Sequence, residues 1–116
     1  MHNYKELKVW NESVDLAVRI YNITETFPDY ELYGLTGQMR RAAVSVSSNI
    51  AEGAGRSSGK DFSRFLSNAL GSLNELETQL IIANKLSYLD TEYTTALEPK
   101  TNHIRNMIYK LKQTLN

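Results

Sequence analysis

The chain has 116 residues with 13 basic and 13 acidic side chains, giving a formal charge of zero, and 41% of its residues are hydrophobic. This length and composition fit one domain with its own core and exclude a disordered chain. The absence of cysteine excludes disulfides and thiolate metal sites, no apolar run approaches the ~20 residues of a membrane helix, and the polar start Met1-His2-Asn3-Tyr4-Lys5-Glu6 lacks a signal-peptide core, so a cytoplasmic protein is expected.

Two prolines and six glycines punctuate the sequence and divide one domain, 1–116, into four predicted helices at about 7–27, 35–54, 59–86 and 91–115. In the first, Leu7, Trp10, Val14, Ala17 and Tyr21 form one apolar stripe, and Leu16, Ile20, Ile23 and Phe27 form a second beside it. That is the wide apolar face of a helix packed against two neighbours. Pro28 is predicted to end it, because proline donates no backbone hydrogen bond and restricts the residue before it.

The second helix places Leu35, Met39, Ala42, Ala43, Val46 and Ile50 inward. Arg41, Ser45, Ser48 and Glu52 recur on its opposite face. The link 53–59 is glycine-rich, which predicts left-handed backbone conformations closing the helix. Ser58 followed by Asp61 resembles a capping box for the third helix. Phe62, Phe65, Leu66, Ala69, Leu73, Leu76, Leu80 and Ala83 are the longest stripe in the chain. Asp90 or Thr91 is the expected cap of the fourth helix, whose inner face is Tyr93, Leu97, Thr101, Ile104, Ile108, Leu111 and Leu115. Pro99 falls inside that pattern and predicts a kink or a delayed start. Helices of this length joined by short links pack most simply as antiparallel neighbours. The expected fold is therefore all-α, an up-and-down four-helix bundle.

No catalytic constellation emerges. The segment Gly55-Arg56-Ser57-Ser58-Gly59-Lys60 has one residue too few between its glycines for a phosphate-binding loop, and Asp61 stands where Ser or Thr should hold magnesium. His2 and His103 lack a second ligand at helical spacing and read as surface residues. Glu75 and Glu77 are two apart and point to different sides of a helix, which disfavours a joint acid–base pair. Glu12, Asp15 and Arg19 suit surface ion pairs. Neither enzymatic activity, nor a cofactor, nor a metal is expected.

Charge is unevenly placed. Residues 1–34 hold three basic side chains against six acidic ones, and residues 35–66 hold five against two. The five are Arg40, Arg41, Arg56, Lys60 and Arg64, an elongated basic stripe that a nucleic-acid backbone would attract. No aromatic residue is interleaved with it for base stacking. The alternative is internal neutralisation, Arg41 by Glu52 and Arg40 by an acidic residue of the first helix. The polar stripe Arg41, Ser45, Ser48 and Glu52 reads either as a solvated face or as a subunit interface. Gly71 and Ser72 raise the same interface reading on the third helix, because mid-helix glycine costs about 1 kcal/mol unless close packing offsets it.

Three blocks carry a family resemblance. The first is Phe27-Pro28, Glu31-Leu32-Tyr33-Gly34-Leu35-Thr36 and Gln38-Met39-Arg40-Arg41-Ala42-Ala43. The second is Ser45-Val46 and Asn49-Ile50-Ala51-Glu52-Gly53, with Arg56 after it. The third is Phe65-Leu66, Ala69-Leu70-Gly71-Ser72-Leu73 and Glu75-Leu76-Glu77. In order and spacing, from Trp10 to Tyr88, the chain resembles the four-helix bundle family of proteins encoded in intervening sequences of large-subunit ribosomal RNA genes. The accessory variability determinants of diversity-generating retroelements are similar to the same family. The resemblance implies an up-and-down bundle that assembles as a homo-oligomer, a pentamer in the family pattern. It implies architectural roles for Arg40, Arg41, Asn49 and Glu52. Through the retroelement relatives, which are basic where this chain is neutral, it also implies an RNA, DNA or reverse-transcriptase-like partner. The expected function is a non-enzymatic homo-oligomeric bundle binding nucleic acid or a nucleic-acid-handling partner. The alternative is a protein-interaction scaffold with no nucleic-acid binding, and neither reading involves a membrane.

Overall fold

A computed structural model describes residues 2–115, folded as four antiparallel helices: α1 (Lys8–Thr24), α2 (Leu35–Ala54), α3 (Gly59–Lys85) and α4 (Thr91–Gln113). Short 3-10 turns at Tyr4–Glu6 and Asp29–Glu31 precede α1 and α2. Each helix buries one stripe in a common core. Leu16 and Ile20 of α1, Met39, Val46 and Ile50 of α2, Phe62, Leu66, Leu73 and Leu76 of α3, and Ile104 and Ile108 of α4 are fully enclosed. The molecule is an elongated body of 43 × 25 × 20 Å. α2 and α3 share the most extensive contact, and α4 leans on α3 and α1.

The helix ends follow from identifiable side chains, and several differ from expectation. α1 stops at Thr24, three residues early. Phe27 precedes Pro28 and so disfavours helical backbone. Meanwhile Arg40 reaches across from α2, donating to the Tyr21 carbonyl at 3.3 Å and to Thr24 Oγ1 at 2.9 Å. A carbonyl of the last turn is thus satisfied without further helix. Phe27 is buried all the same. Tyr21 and Tyr93, both expected in the core, are exposed. Tyr21 instead carries the Arg40 guanidinium 4.7 Å above its ring.

Glu31 caps α2 by accepting the Leu35 N–H at 3.0 Å, and Ser58 caps α3 by accepting the Asp61 N–H at 3.1 Å as its spacing predicts. The glycine-rich link contains no left-handed glycine, since none occurs among the described residues. Gly53 lies inside α2 for a different reason. A Cβ there would come within 2.7 Å of the Phe65 Cβ and 2.9 Å of a Phe62 ring carbon. The α2–α3 approach is that close.

Pro99 does not delay α4, which already begins at Thr91 and continues through it. Two buried-side ion pairs hold α4 in place, Lys100 with Glu12 of α1 and Arg105 with Glu77 of α3. Thr101 adds a hydrogen bond to Glu77 at 2.8 Å. Glu12, read as suited to a surface ion pair, is instead partly buried against the distant Lys100.

Candidate nucleic-acid interface

The five cations of the predicted stripe do not form one surface. Arg40 is half-buried between α1 and α2, where it closes the end of α1. Arg41 is exposed on the outer side of α2, and the ion pair proposed for it with Glu52 does not form, because Glu52 pairs with Arg56 at 3.1 Å. The other three come together where α2 ends and α3 begins. Arg56 follows α2, while Lys60 and Arg64 lie on the first turns of α3.

Phe65 organises this end. Its ring lies 4.6 Å from the Arg56 guanidinium carbon and 4.6 Å from that of Arg64. An aromatic thus accompanies the cations, although its ring is covered by arginine and not open for base stacking. Phe65 falls on the core stripe in sequence, but its position at the edge of α3 leaves it half-buried and covered by arginine. Arg64 also stands 3.6 Å from Asp61. Both ion pairs are solvent-exposed, with side-chain exposures of 41–60%. Such pairs contribute about 0–1 kcal/mol each, so a phosphate can replace either carboxylate at small cost. Lys60 is exposed and forms no ion pair among the described residues.

The fold adds cations that the stripe did not include. The His2 N–H donates to the Ala54 carbonyl at 2.9 Å, which docks the N-terminal segment, with Lys5 and Lys8, at this same end. The last turns of α4 arrive there too. The Lys112 ammonium bonds Ser67 and lies 3.4 Å from the Ser63 carbonyl, with Lys110 exposed nearby in the chain. Only topology brings these together, since Lys5 and Lys112 are remote in sequence. Against the seven cations stand Glu6, Glu52 and Asp61. Beside them Tyr4, Ser48, Ala51, Glu52, Gly55 and Arg56 line an open hollow of about 480 Å³. Cationic, partly aromatic and concave, the end offers what a phosphate backbone needs.

The polar stripe divides in a similar way. Asn49 donates to the Ser45 carbonyl at 2.8 Å and to its hydroxyl at 3.0 Å. Ser72 bonds the Ser45 hydroxyl at 2.9 Å, tying α3 to α2. Ser48 and Glu52 remain exposed. Gly71 is exposed, and a Cβ added there would meet nothing within 4 Å. No packing within the chain offsets its cost to the helix.

The Lys100 hydrogen bond, opposed by partial burial and aided by the charges of Lys100 and His103, holds the Glu12 carboxyl below its ordinary value. No cluster of three acidic or histidine side chains able to hold a metal occurs among the described residues. Among the described residues, no helix is long and apolar enough to cross a membrane.

A family model described as 23S rRNA-intervening sequence protein matches residues 5–110. The chain belongs to that family. A solved structure similar to it is a protein of unknown function from the S23 ribosomal protein family of Bacteroides thetaiotaomicron. It is 24% identical, superposes with a TM-score of 0.79, and is matched over 97% of its length and 90% of this chain. That likeness shows the fold, the same four-helix bundle. No curated protein matches the chain. Family membership thus agrees with the motif blocks of α2 and α3, and the basic end lies within the matched segment apart from Lys112.

Proposed function

We propose that this intervening-sequence family protein is a non-enzymatic, homo-oligomeric bundle that binds the nucleic-acid backbone through its basic end. The observation that carries the reading is the convergence of Arg56 and Arg64 on the Phe65 ring, beside the exposed Lys60 and with Lys5 and Lys112 brought in from the two ends of the chain. The cations would contact phosphates, and Phe65 would hold two guanidinium planes in position rather than stack bases itself. An RNA partner, a DNA partner and a reverse-transcriptase-like protein loaded with either all present that backbone. Repeating the surface in an oligomer would raise avidity without any new contact. Titrating fluorescent RNA and DNA against the chain at several salt concentrations tests this. Affinity that falls steeply with salt supports it, and absence of binding at low salt overturns it.

A second reading, a scaffold whose α2–α3 face serves assembly alone, is favoured by Gly71. In an isolated chain, Gly71→Ala should stabilise by about 1 kcal/mol, because the added methyl meets open space and alanine favours helix. If a second copy packs there, the same change should instead lower the mass in solution. Arg41→Glu on the same side should then dissociate the assembly as well, and an unchanged mass in both variants counts against assembly through this face.

A further inference from the structure

At the opposite end of the bundle, the link before α2 meets the link before α4. The Tyr88 hydroxyl donates to Glu31 Oε2 at 2.9 Å and lies 3.2 Å from the Tyr30 hydroxyl. Its ring packs 5.5 Å from that of Phe27. The turn after α3 sends Tyr88 there. Ser87 adopts a left-handed conformation, φ 63°, while the Tyr88 N–H returns to the Ala83 carbonyl and the Ser87 N–H to that of Asn84, the hydrogen-bond pattern of a Schellman helix end.

This arrangement leaves a cleft of about 320 Å³ between the end of α1 and the start of α4, walled by Tyr88 and Tyr93, floored by Ile23 and Leu89, and edged by Thr26 and Asp90. Around it the molecule exposes an aromatic surface to water, with Tyr93 at 54%, Tyr30 at 78% and Tyr33 at 96%. Clustered exposed apolar side chains of this size mark interaction sites. Glu25, Asp29, Asp90 and Glu92 lie at the same end, and none has an ion-pair partner among the described residues. Asp90 occupies the cap position of α4 yet makes no side-chain capping bond. Its carboxylate is not committed to the helix. Arg40, which reaches the end of α1 from α2, is committed to Tyr21 and Thr24.

We propose that this cleft receives an arginine side chain from an extended basic segment of another protein. Tyrosine rings flanking a carboxylate offer a guanidinium both an aromatic face and an ion pair. Tyr88 is held beforehand by Glu31, Tyr30 and Phe27, so little ordering is needed on binding. The volume accommodates one or two side chains of a thin, extended chain and not the blunt end of a second bundle. The chain's own basic end is also a poor occupant, because its Arg56 and Arg64 already share the Phe65 ring.

The test uses the full chain and two short peptides, an arginine–glycine repeat and the same repeat with neutral citrulline for arginine. The arginine peptide should bind, more weakly as salt rises, and shift the backbone NMR signals of Tyr88, Asp90 and Tyr93. The citrulline peptide should bind at least tenfold more weakly. Asp90→Asn, which keeps a good capping residue, and Tyr93→Ala should each weaken binding several-fold with unchanged helicity, while Tyr93→Phe should retain it. Equal binding of both peptides overturns the proposal, as do signal shifts confined to the acidic residues of α3. A failure of the arginine peptide to bind overturns it too, and where Asp90→Asn also lowers the mass of the protein in solution the cleft is a contact between copies.

Discussion

Gly53 and Ser87 each occupy a backbone environment opposite to the one their residue type suggests. Gly53 sits where α2 meets α3, and a methyl group there would press on the Phe65 Cβ and the Phe62 ring, with the Phe62 carbonyl at 3.3 Å. Backbone-linked atoms cannot step aside as a flexible side chain can. Gly53→Ala should therefore destabilise the fold by about 1–3 kcal/mol, seen as a lower denaturant midpoint. It should also disturb the Arg56–Phe65–Arg64 arrangement, since Phe65 is what the methyl meets. Ser87 is the reverse case, a residue with a side chain where glycine is favoured. Ser87→Gly should raise stability by up to about 1 kcal/mol in the same measurement, by removing the left-handed strain at the end of α3. Neither position announced itself. Gly53 looked like part of a turn because two more glycines follow within six residues, and Ser87 lies in a link with no glycine at all.

At the scale of the helices, apolar periodicity was enough to locate all four, because each buries a continuous stripe and the links are short. The misplacements share a cause. Tyr21, Tyr93 and Phe65 lie on the correct stripes, but at the edges of the bundle, where an aromatic side chain can lie flat on the surface or under an arginine. The end of α1 depended on Arg40 from another helix, which no local pattern encodes. Proline misled for a physical reason. Pro99 should weaken α4 by about 3 kcal/mol, yet Lys100–Glu12, Arg105–Glu77 and Thr101–Glu77 fasten the turns beside it to α1 and α3. This attachment predicts a pH dependence. The folded protein lowers the Glu12 pKa from its unperturbed 4.5, chiefly through the Lys100 hydrogen bond. A lowered carboxyl pKa contributes stability that is complete above about pH 4.5 and lost as pH falls through the folded value. Thermal melts should therefore show a loss of stability below pH 4.5 that is smaller in Lys100→Met. An identical acid profile for both proteins would contradict the assignment.

For the molecule as a whole, zero net charge conceals polarity along the bundle axis. Lys5, Lys8, Arg56, Lys60, Arg64, Lys110 and Lys112 gather at one end, and Glu25, Asp29, Glu31, Asp90 and Glu92 at the other. The imbalance between segments is legible in the sequence, but antiparallel packing turns it into two poles by folding the N-terminal lysines and the end of α4 beside α3. Arg40 and Arg41, by contrast, left the basic surface. The basic pole explains how a neutral chain can attract a polyanion.

The most direct measurement of that claim is the salt dependence of single-stranded RNA binding by the unaltered chain and by the Lys60→Ala/Arg64→Ala variant. If about four cations contact phosphates, log Kobs should fall against log salt with a slope of about −3, and losing two contacts should reduce the slope by about 1.4. Helicity should be unchanged, because both side chains are exposed. Equal slopes for the two proteins, or no binding by either at low salt, would contradict the account.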